Sequence, residues 1–254
     1  MLRAVTFDFW GTLYGSASAR DERLALLGEA LAQAGYPRSR AELELAYERT
    51  WGVFDRRWLV EHRPLGASLW LKTMLEMLDA QLPEDQQAEL VPAIEEVLLS
   101  LDIPRPAAGV PEVLPRLARR YRLGLISDVG LTPGRILREI LRRDGLLHFF
   151  QVLTFSDEFG ATKPEPAVFL DTLERLGVKP AEAAHVGDLP ETDLQGARAA
   201  GMRAILFLGV SRREEGRALA DAAFERYEEL EELLERMSMG PVREVGLARG
   251  KEAR

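Results

Sequence analysis

The sequence predicts an α/β protein, a parallel sheet with a helical bundle inserted after its first strand. Three observations carry this. The first apolar run, Leu2 to Phe9, is short, β-branched and aromatic, as a buried strand is. Beyond Gly15 the pattern turns helical for more than eighty residues, with almost no strand signal. From Val113 onward, strand-like and helix-like runs alternate, which is how a parallel sheet with right-handed crossovers reads in sequence.

The elements follow in order. The first strand delivers one carboxylate, Asp8, and breaks into a turn at Trp10-Gly11-Thr12. Gly15 to Ala19 is a small-residue stretch with the character of a hinge. Leu24, Leu27, Ala30, Leu31 and Ala34 share a helical face that stops at Gly35. Leu43, Ala46, Tyr47, Thr50, Trp51, Phe54 and Trp58 repeat the spacing, and Leu69–Leu78 and Leu90–Leu101 complete about four helices. Three of the four tryptophans lie in this region, where core packing is their expected role. Pro104 to Gly109 reads as a linker. Helices are then expected at 113–120, 133–143, 166–176, 193–200 and 227–237, and strands at 123–127, 150–155, 183–187, 203–208 and 222–224. The expected organisation is a core of residues 1–15 and 105–237, a helical module of residues 16–104, and a flexible tail from 238 to 254.

Composition narrows the function classes. The chain has 254 residues, 46% of them hydrophobic, and a net charge of −8. Acidic and basic residues interleave without a long basic face, so nucleic acid is not an expected partner. There is no cysteine, which excludes disulfides, thiolate ligands and a thiol nucleophile. No apolar run approaches the roughly 20 residues that span a bilayer. The chain enters a strand at once, without the basic and apolar stretches of a signal peptide. A soluble cytoplasmic protein without a membrane partner, monomeric or homodimeric, is the expectation. Only four lysines occur, and one of them, Lys163, lies inside a motif.

Four polar motifs sit where apolar strands end. Asp8 follows Val5-Thr6-Phe7, and Ser127-Asp128 follows Leu123-Gly-Leu-Ile. Lys163 stands in Gly160-Ala-Thr-Lys-Pro-Glu-Pro166. Asp188 and Asp193 bracket a strand-to-helix turn after His185-Val-Gly. Each has a plain structural reading: Asp8 and Ser127 as turn residues, Lys163 as a surface lysine, Asp193 as a helix N-cap. In α/β sheets, however, ligands bind outside the carboxyl ends of the strands. A carboxylate nucleophile, a hydroxyl, an ammonium and two further carboxylates gathered there suit phosphate chemistry around a divalent metal.

The order and spacing of these motifs resembles the haloacid dehalogenase (HAD) superfamily over roughly residues 2 to 234. The resemblance implies a Rossmann-like core with an inserted helical cap, and a Mg2+-dependent phosphohydrolase acting on a small phosphorylated molecule. By position it implies Asp8 as the nucleophile that forms an aspartyl-phosphate. Ser127 would bind a phosphoryl oxygen and Lys163 would neutralise charge. Asp8, Asp188 and the Trp10 carbonyl would hold Mg2+, and Asp193 would orient Lys163 or support the metal. Trp10, Gly11, Thr12 and Asp128 would face substrate. Arg63 in the loop 61–66, or Arg57 before it, could meet a second anionic group on the substrate, although a solvated loop is the plainer reading of that segment.

The chain departs from the family at one position. Phosphatases of the family carry a second Asp two residues after the nucleophile as general acid and base, and here that residue is Trp10. An indole cannot protonate a leaving alkoxide, so ~10²–10⁴-fold of rate is at stake. Dehalogenases of the family have an aromatic residue there, but they work without metal and lack the Gly187-Asp188 pair. They also have Asn where this chain has Asp128, and Arg49 is a loose match for their halide-binding arginine. Phosphonate hydrolases need a cap lysine, for which Lys72 is the candidate, in what reads as an ordinary helix. A catalytically weak domain that binds a phosphorylated ligand or a protein partner is the remaining alternative. His62, His148 and His185 do not have metal-ligand spacing, and His185 is expected to pack at its strand end.

Overall fold

The computed structural model describes residues 1–239. Six parallel strands, β1 (Ala4–Phe7), β2 (Arg122–Ser127), β3 (Val152–Phe155), β4 (Ala183–Gly187), β5 (Arg203–Phe207) and β6 (Ala222–Phe224), form one sheet in the order β3-β2-β1-β4-β5-β6. The fold is the Rossmann-like α/β fold, and β1 lies in the middle of it.

Both faces of the sheet are covered, which is why the strands read as continuous apolar runs rather than alternating ones. On one face Val5, Phe7, Leu123, Leu125, Val186, Ile205 and Phe207 pack against α5 (Val110–Ala118), α6 (Gly134–Arg143) and α10 (Leu230–Met239). On the other, Ala4, Ile126, Val152, Ala183, Ala204 and Leu206 meet α8 (Pro166–Leu176) and α9 (Gln195–Ala199). The side chains of each strand thus divide by period two, one set per helical layer.

Between β1 and α5 lie four helices, α1 (Arg20–Gln33), α2 (Arg40–Asp55), α3 (Ala67–Met77) and α4 (Glu84–Ser100). They share an apolar cluster of their own, built on Leu24, Leu27, Leu31, Leu43, Phe54, Trp70, Leu71, Met74 and Ile94. Ser39 and Glu42 form a reciprocal cap at the start of α2. α4 begins six residues before the apolar spacing indicated. Its first turn, Glu84-Asp85-Gln86-Gln87, carries no core residue but complements the helix N-terminus with negative charge.

Two sequence expectations are corrected here. Of the three tryptophans in this layer only Trp70 is core; Trp51 is 37% exposed and Trp58 half-buried. Helical period identifies a shared face without saying whether it meets the bundle or the sheet. A one-turn helix, α7 (Ser156–Phe159), follows β3 between the expected strand and the expected helix. The expected helix at 193–200 starts earlier, with a wide turn at Pro190–Leu194 that runs into α9. As for the expected tail, Ser238 and Met239 belong to α10, and the rest of it lies outside the described residues. No helix among the described residues is long and apolar enough to cross a membrane.

Candidate active site

The strand order reverses direction between β1 and β4, which opens a crevice at the carboxyl ends of β1, β2 and β4. Parallel register pairs Phe7 with Leu125 on one side and with Val186 on the other. Asp8, one residue on, therefore emerges between the ends of β2 and β4. Its backbone N–H continues the ladder by donating to the Val186 carbonyl at 2.9 Å.

The loop between α7 and α8 brings Lys163 beneath this crevice. Its ammonium donates to Asp8 Oδ1 at 2.5 Å, to Asp193 Oδ1 at 2.6 Å and to the Ile126 carbonyl at 3.3 Å. Lys163 is only 2% exposed and Asp193 is fully buried, so these charges sit where desolvation is costly and pairing decides which forms persist. Burial disfavours the ammonium, but Asp193, Asp8 and Asp128 outweigh it and hold its pKa above the ordinary value. Burial likewise opposes ionisation of Asp193, yet Lys163 and His185 win and keep that carboxyl well below the usual range. Asp8 goes the other way: burial, and after it Asp193 and Asp188, raise its pKa despite Lys163.

Asp193 is also fastened from behind. Its Oδ2 accepts the Leu189 N–H at 3.0 Å, and His185 Nε2 lies 3.2 Å from Oδ1. The other nitrogen of that imidazole, Nδ1, is 2.9 Å from Thr6 Oγ1. His185 is fully buried in the body of β4 rather than at its end, and burial lowers its pKa toward the neutral form. The sequence placed His185 in packing, and its bond to Asp193 was not foreseen.

Asp188 stands opposite. Burial, followed by Asp193, pushes its pKa up to about 6, partly offset by a hydrogen bond from Ser211. Its Oδ1 is buried without a hydrogen-bond partner. The turn after β1 is shaped to admit this carboxylate: Gly11 has φ +73°, and a Cβ there would overlap the Asp188 carboxylate. Asp8, Asp188 and Asp193 each offer an oxygen within 4.8 Å of the others. These are hard donors of the kind Mg2+ takes, and one ammonium does not balance them. Asp193 has both oxygens committed, so Asp8 and Asp188 are the residues that fit a cation. The Trp10 carbonyl stays outside the two bonds that close the turn, Gly11 N–H to Tyr14 and Tyr14 N–H to Phe9.

The remaining expected residues divide. Ser127 ends β2 beside β1, with its hydroxyl 3.3 Å from the Asp128 carbonyl. Thr12 is buried, and its hydroxyl has no partner. Asp128 Oδ1 accepts the Lys163 backbone N–H at 3.0 Å, and Oδ2 accepts Trp58 Nε1–H at 2.9 Å. Trp58, a residue taken for core in sequence, thus reaches from the helical layer to the site. The loop 61–66 packs on the Lys163 loop: His62 Nδ1 lies 2.6 Å from Glu165 Oε1, and Thr162 N–H donates to the His62 carbonyl. Arg57, just before this loop, turns to the Pro64 carbonyl at 3.0 Å, while Arg63 within it is exposed. Arg49 is exposed as well, and the Lys72 side chain, 75% exposed, pairs with Glu76.

These features are those of one family. The chain belongs to the haloacid dehalogenase-like hydrolases, whose family model matches residues 2–201. It is 31% identical over 204 residues to a glyceraldehyde 3-phosphate phosphatase of Methanopyrus kandleri, spanning 80% of this chain and 82% of that one. A shorter match, 44% over 97 residues, is to a phosphoserine phosphatase of Thermus thermophilus, covering 37% of this chain and 39% of the relative. The fold superposes on the crystal structure of a 2-haloacid dehalogenase from Pseudomonas syringae pv. Tomato with a TM-score of 0.71 at 30% identity, covering 93% of this chain and all of that one (100%). A HAD phosphatase from Thermococcus onnurineus superposes with a TM-score of 0.63 at 27% identity, covering 92% and 98% of the two chains.

Proposed function

We propose that this hydrolase is a phosphohydrolase of small phosphorylated metabolites that works through an aspartyl-phosphate on Asp8. The observation that carries the reading is the buried Asp8–Lys163–Asp193 array facing Asp188, whose free oxygen and raised pKa mark a site short of positive charge. Relatives named as phosphatases support it.

Lys163 holds Asp8 Oδ1, which leaves Oδ2 as the attacking atom. As the new bond to phosphorus forms, the ester oxygen departs with its electron pair, and water then hydrolyses the acyl phosphate. Ser127 donates its hydroxyl to a phosphoryl oxygen, and Lys163 offsets charge shared between nucleophile and phosphate. Asp193, braced by Leu189 and His185, fixes the position of Lys163. Asp8, Asp188 and the Trp10 carbonyl would hold Mg2+, which supplies Lewis-acid neutralisation of the phosphoryl oxygens. The helical layer, residues 16–104, acts as a cap over residues 1–15 and 105–237, with the Trp58–Asp128 bond as one latch between them.

The test is turnover of an activated aryl phosphate with and without Mg2+. Metal-dependent release of phosphate is expected; release of halide from a 2-haloacid without metal would favour the dehalogenase reading instead. That second reading has two observations behind it, the aromatic Trp10 and the superposition on a dehalogenase.

Asp188→Asn separates metal binding from fold. In metal-free protein the amide removes a carboxylate that burial disfavours, and it raises stability at pH 7 by on the order of 2 kcal/mol. A group whose folded pKa is raised weakens the fold above that pKa. The gain is therefore full above about pH 6 and vanishes below the ordinary carboxylate pKa near 4. Thermal melts in chelator should show this, and added Mg2+ should stabilise only the wild type. Equal Mg2+ shifts in both proteins would remove Asp188 from the metal site.

Trp10 tests the missing acid. Its ring packs edge-on against Phe9 at 4.8 Å and is half-buried. Trp10→Asp is expected to raise the ratio of alkyl to aryl phosphate turnover, because only the alkoxide needs a proton to leave. Trp10→Ala opens similar space without an acid and serves as the control. If the Asp variant does not exceed the Ala variant in that ratio, protonation of the leaving group is not what limits this enzyme.

A further inference from the structure

The crevice continues away from Lys163 between the helical layer and the sheet. Next to Asp128 a cavity of about 150 Å³ is walled by Trp51, Trp58, Leu65 and Gly130. A second cavity of about 250 Å³ shares Trp51 and Gly130 with it and extends past Trp10 and Tyr47 to Arg23. The two cavities adjoin at Trp51 and Gly130, and between them their walls run from Asp128 to the Arg23 guanidinium.

Arg23 is an unusual residue for such a place. It lies on the inward face of α1, one turn before Leu27, and is only 7% exposed. Nε donates to the Ile94 carbonyl at 3.1 Å and Nη2 to Thr132 Oγ1 at 2.8 Å, both neutral acceptors. No carboxylate lies within ion-pair distance of Arg23 among the described residues, and the charge of its chain neighbour Glu22 acts on it only from beyond that distance. Its neighbour one turn earlier, Arg20, has Glu48 at 3.6 Å. A buried guanidinium stays charged, and one without a counter-ion is costly unless an anion meets it.

We propose that Arg23 is the specificity-determining residue for a second anionic group, a carboxylate, on the phosphorylated substrate. The inference rests on the phosphohydrolase reading, and it replaces the exposed Arg63 and the internally bonded Arg57 as the partner of such a group. A carboxylate fits better than a second phosphate. One guanidinium balances one charge, and its planar fork matches two coplanar oxygens. The other cation at these walls, Arg20 over the Tyr47 ring at 5.1 Å, is already paired with Glu48, so a dianion would remain half-neutralised. The substrate then spans the cleft with its phosphate at Asp8 and its carboxylate at Arg23.

The experiment uses the full chain with Asp8→Asn, so that binding is read without turnover. Calorimetry with Mg2+ compares 2-phosphoglycolate with its primary amide, a ligand of the same size that lacks the second charge. A preference of about 10- to 100-fold for the carboxylate is expected. It should disappear in Asp8→Asn/Arg23→Met and return in part in Asp8→Asn/Arg23→Lys, with melts confirming that each variant is folded. Equal affinity for the two ligands, no binding of either, or a preference that survives Arg23→Met would overturn the inference. Failure of the phosphohydrolase reading is seen separately, as absent turnover of aryl phosphate by the unmodified protein.

Discussion

Asp8→Asn is expected to lower aryl phosphate turnover by about 10⁴-fold or more while the protein still folds and binds phosphate. The amide keeps the shape of the carboxylate and an oxygen for the Lys163 ammonium, now 2.5 Å from Oδ1. What it loses is the proposed nucleophile and one of the negative charges crowded around a single cation. Fold should survive because burial already opposes the ionised form of Asp8. Phosphate affinity should hold or rise, since a dianion no longer approaches a carboxylate. Rate, phosphate affinity and melting temperature together check this. Turnover within tenfold of wild type would move the chemistry to another residue.

Lys163→Met is the substitution with the largest expected cost to the fold, about 3–5 kcal/mol, because it leaves buried carboxylates without their cation. Asp8 and Asp193 both end on this ammonium, and methionine fills the space without a charge. The pH dependence identifies the cause. Asp193 owes its depressed pKa to Lys163 and His185, against burial, so its pairing stabilises the fold above the ordinary carboxylate pKa. Without the lysine that carboxyl rises instead. The deficit should therefore be full at pH 7 and shrink toward pH 4, as the orphaned carboxyls take up protons. Lys163→Arg should not restore activity, since a planar fork cannot place one donor centre against Asp8, Asp193 and the Ile126 carbonyl together. Urea denaturation across that pH range is the measurement. A Lys163→Met protein as stable as wild type at pH 7 would mean that the array does not carry charge.

What could be read from the sequence has a physical boundary. Strands buried on both faces announce themselves as short apolar runs, so β1, β2, β4 and β5 and the polar residues at their ends were legible. Lys163 and Asp193 were legible because a lysine before a proline-led helix and paired carboxylates around a turn are unusual in their settings. Trp58 and Arg23 were not. Arg23 lies on α1, whose period is ordinary, and Trp58 lies in a wide turn, Arg56–Val60, that follows α2 and that apolar spacing does not announce. Arg23 does sit on the apolar stripe that includes Leu27, and a cation on such a stripe is a signal that was available. The exposed loop that carries Arg63 was a weaker source of a binding charge than a residue the bundle had already desolvated.

The place of β1 in the sheet bears on how the protein is made. Ala4 pairs with Arg122 on one side and Ala183 on the other, and Asp8 finds its lysine 155 residues along the chain. The helical layer can close on its own contacts soon after synthesis, whereas β1 has to wait for partners that emerge much later. During that interval Val5-Thr6-Phe7 is an apolar, unpaired strand, the kind of segment that associates wrongly when it is left exposed. Pairing across such long sequence separations slows folding, and β1 cannot pair with β4 until residues 183–187 have been made. The array proposed to hold the nucleophile is then assembled only when the sheet is, and a chain interrupted before β4 lacks Asp188 and Asp193 altogether.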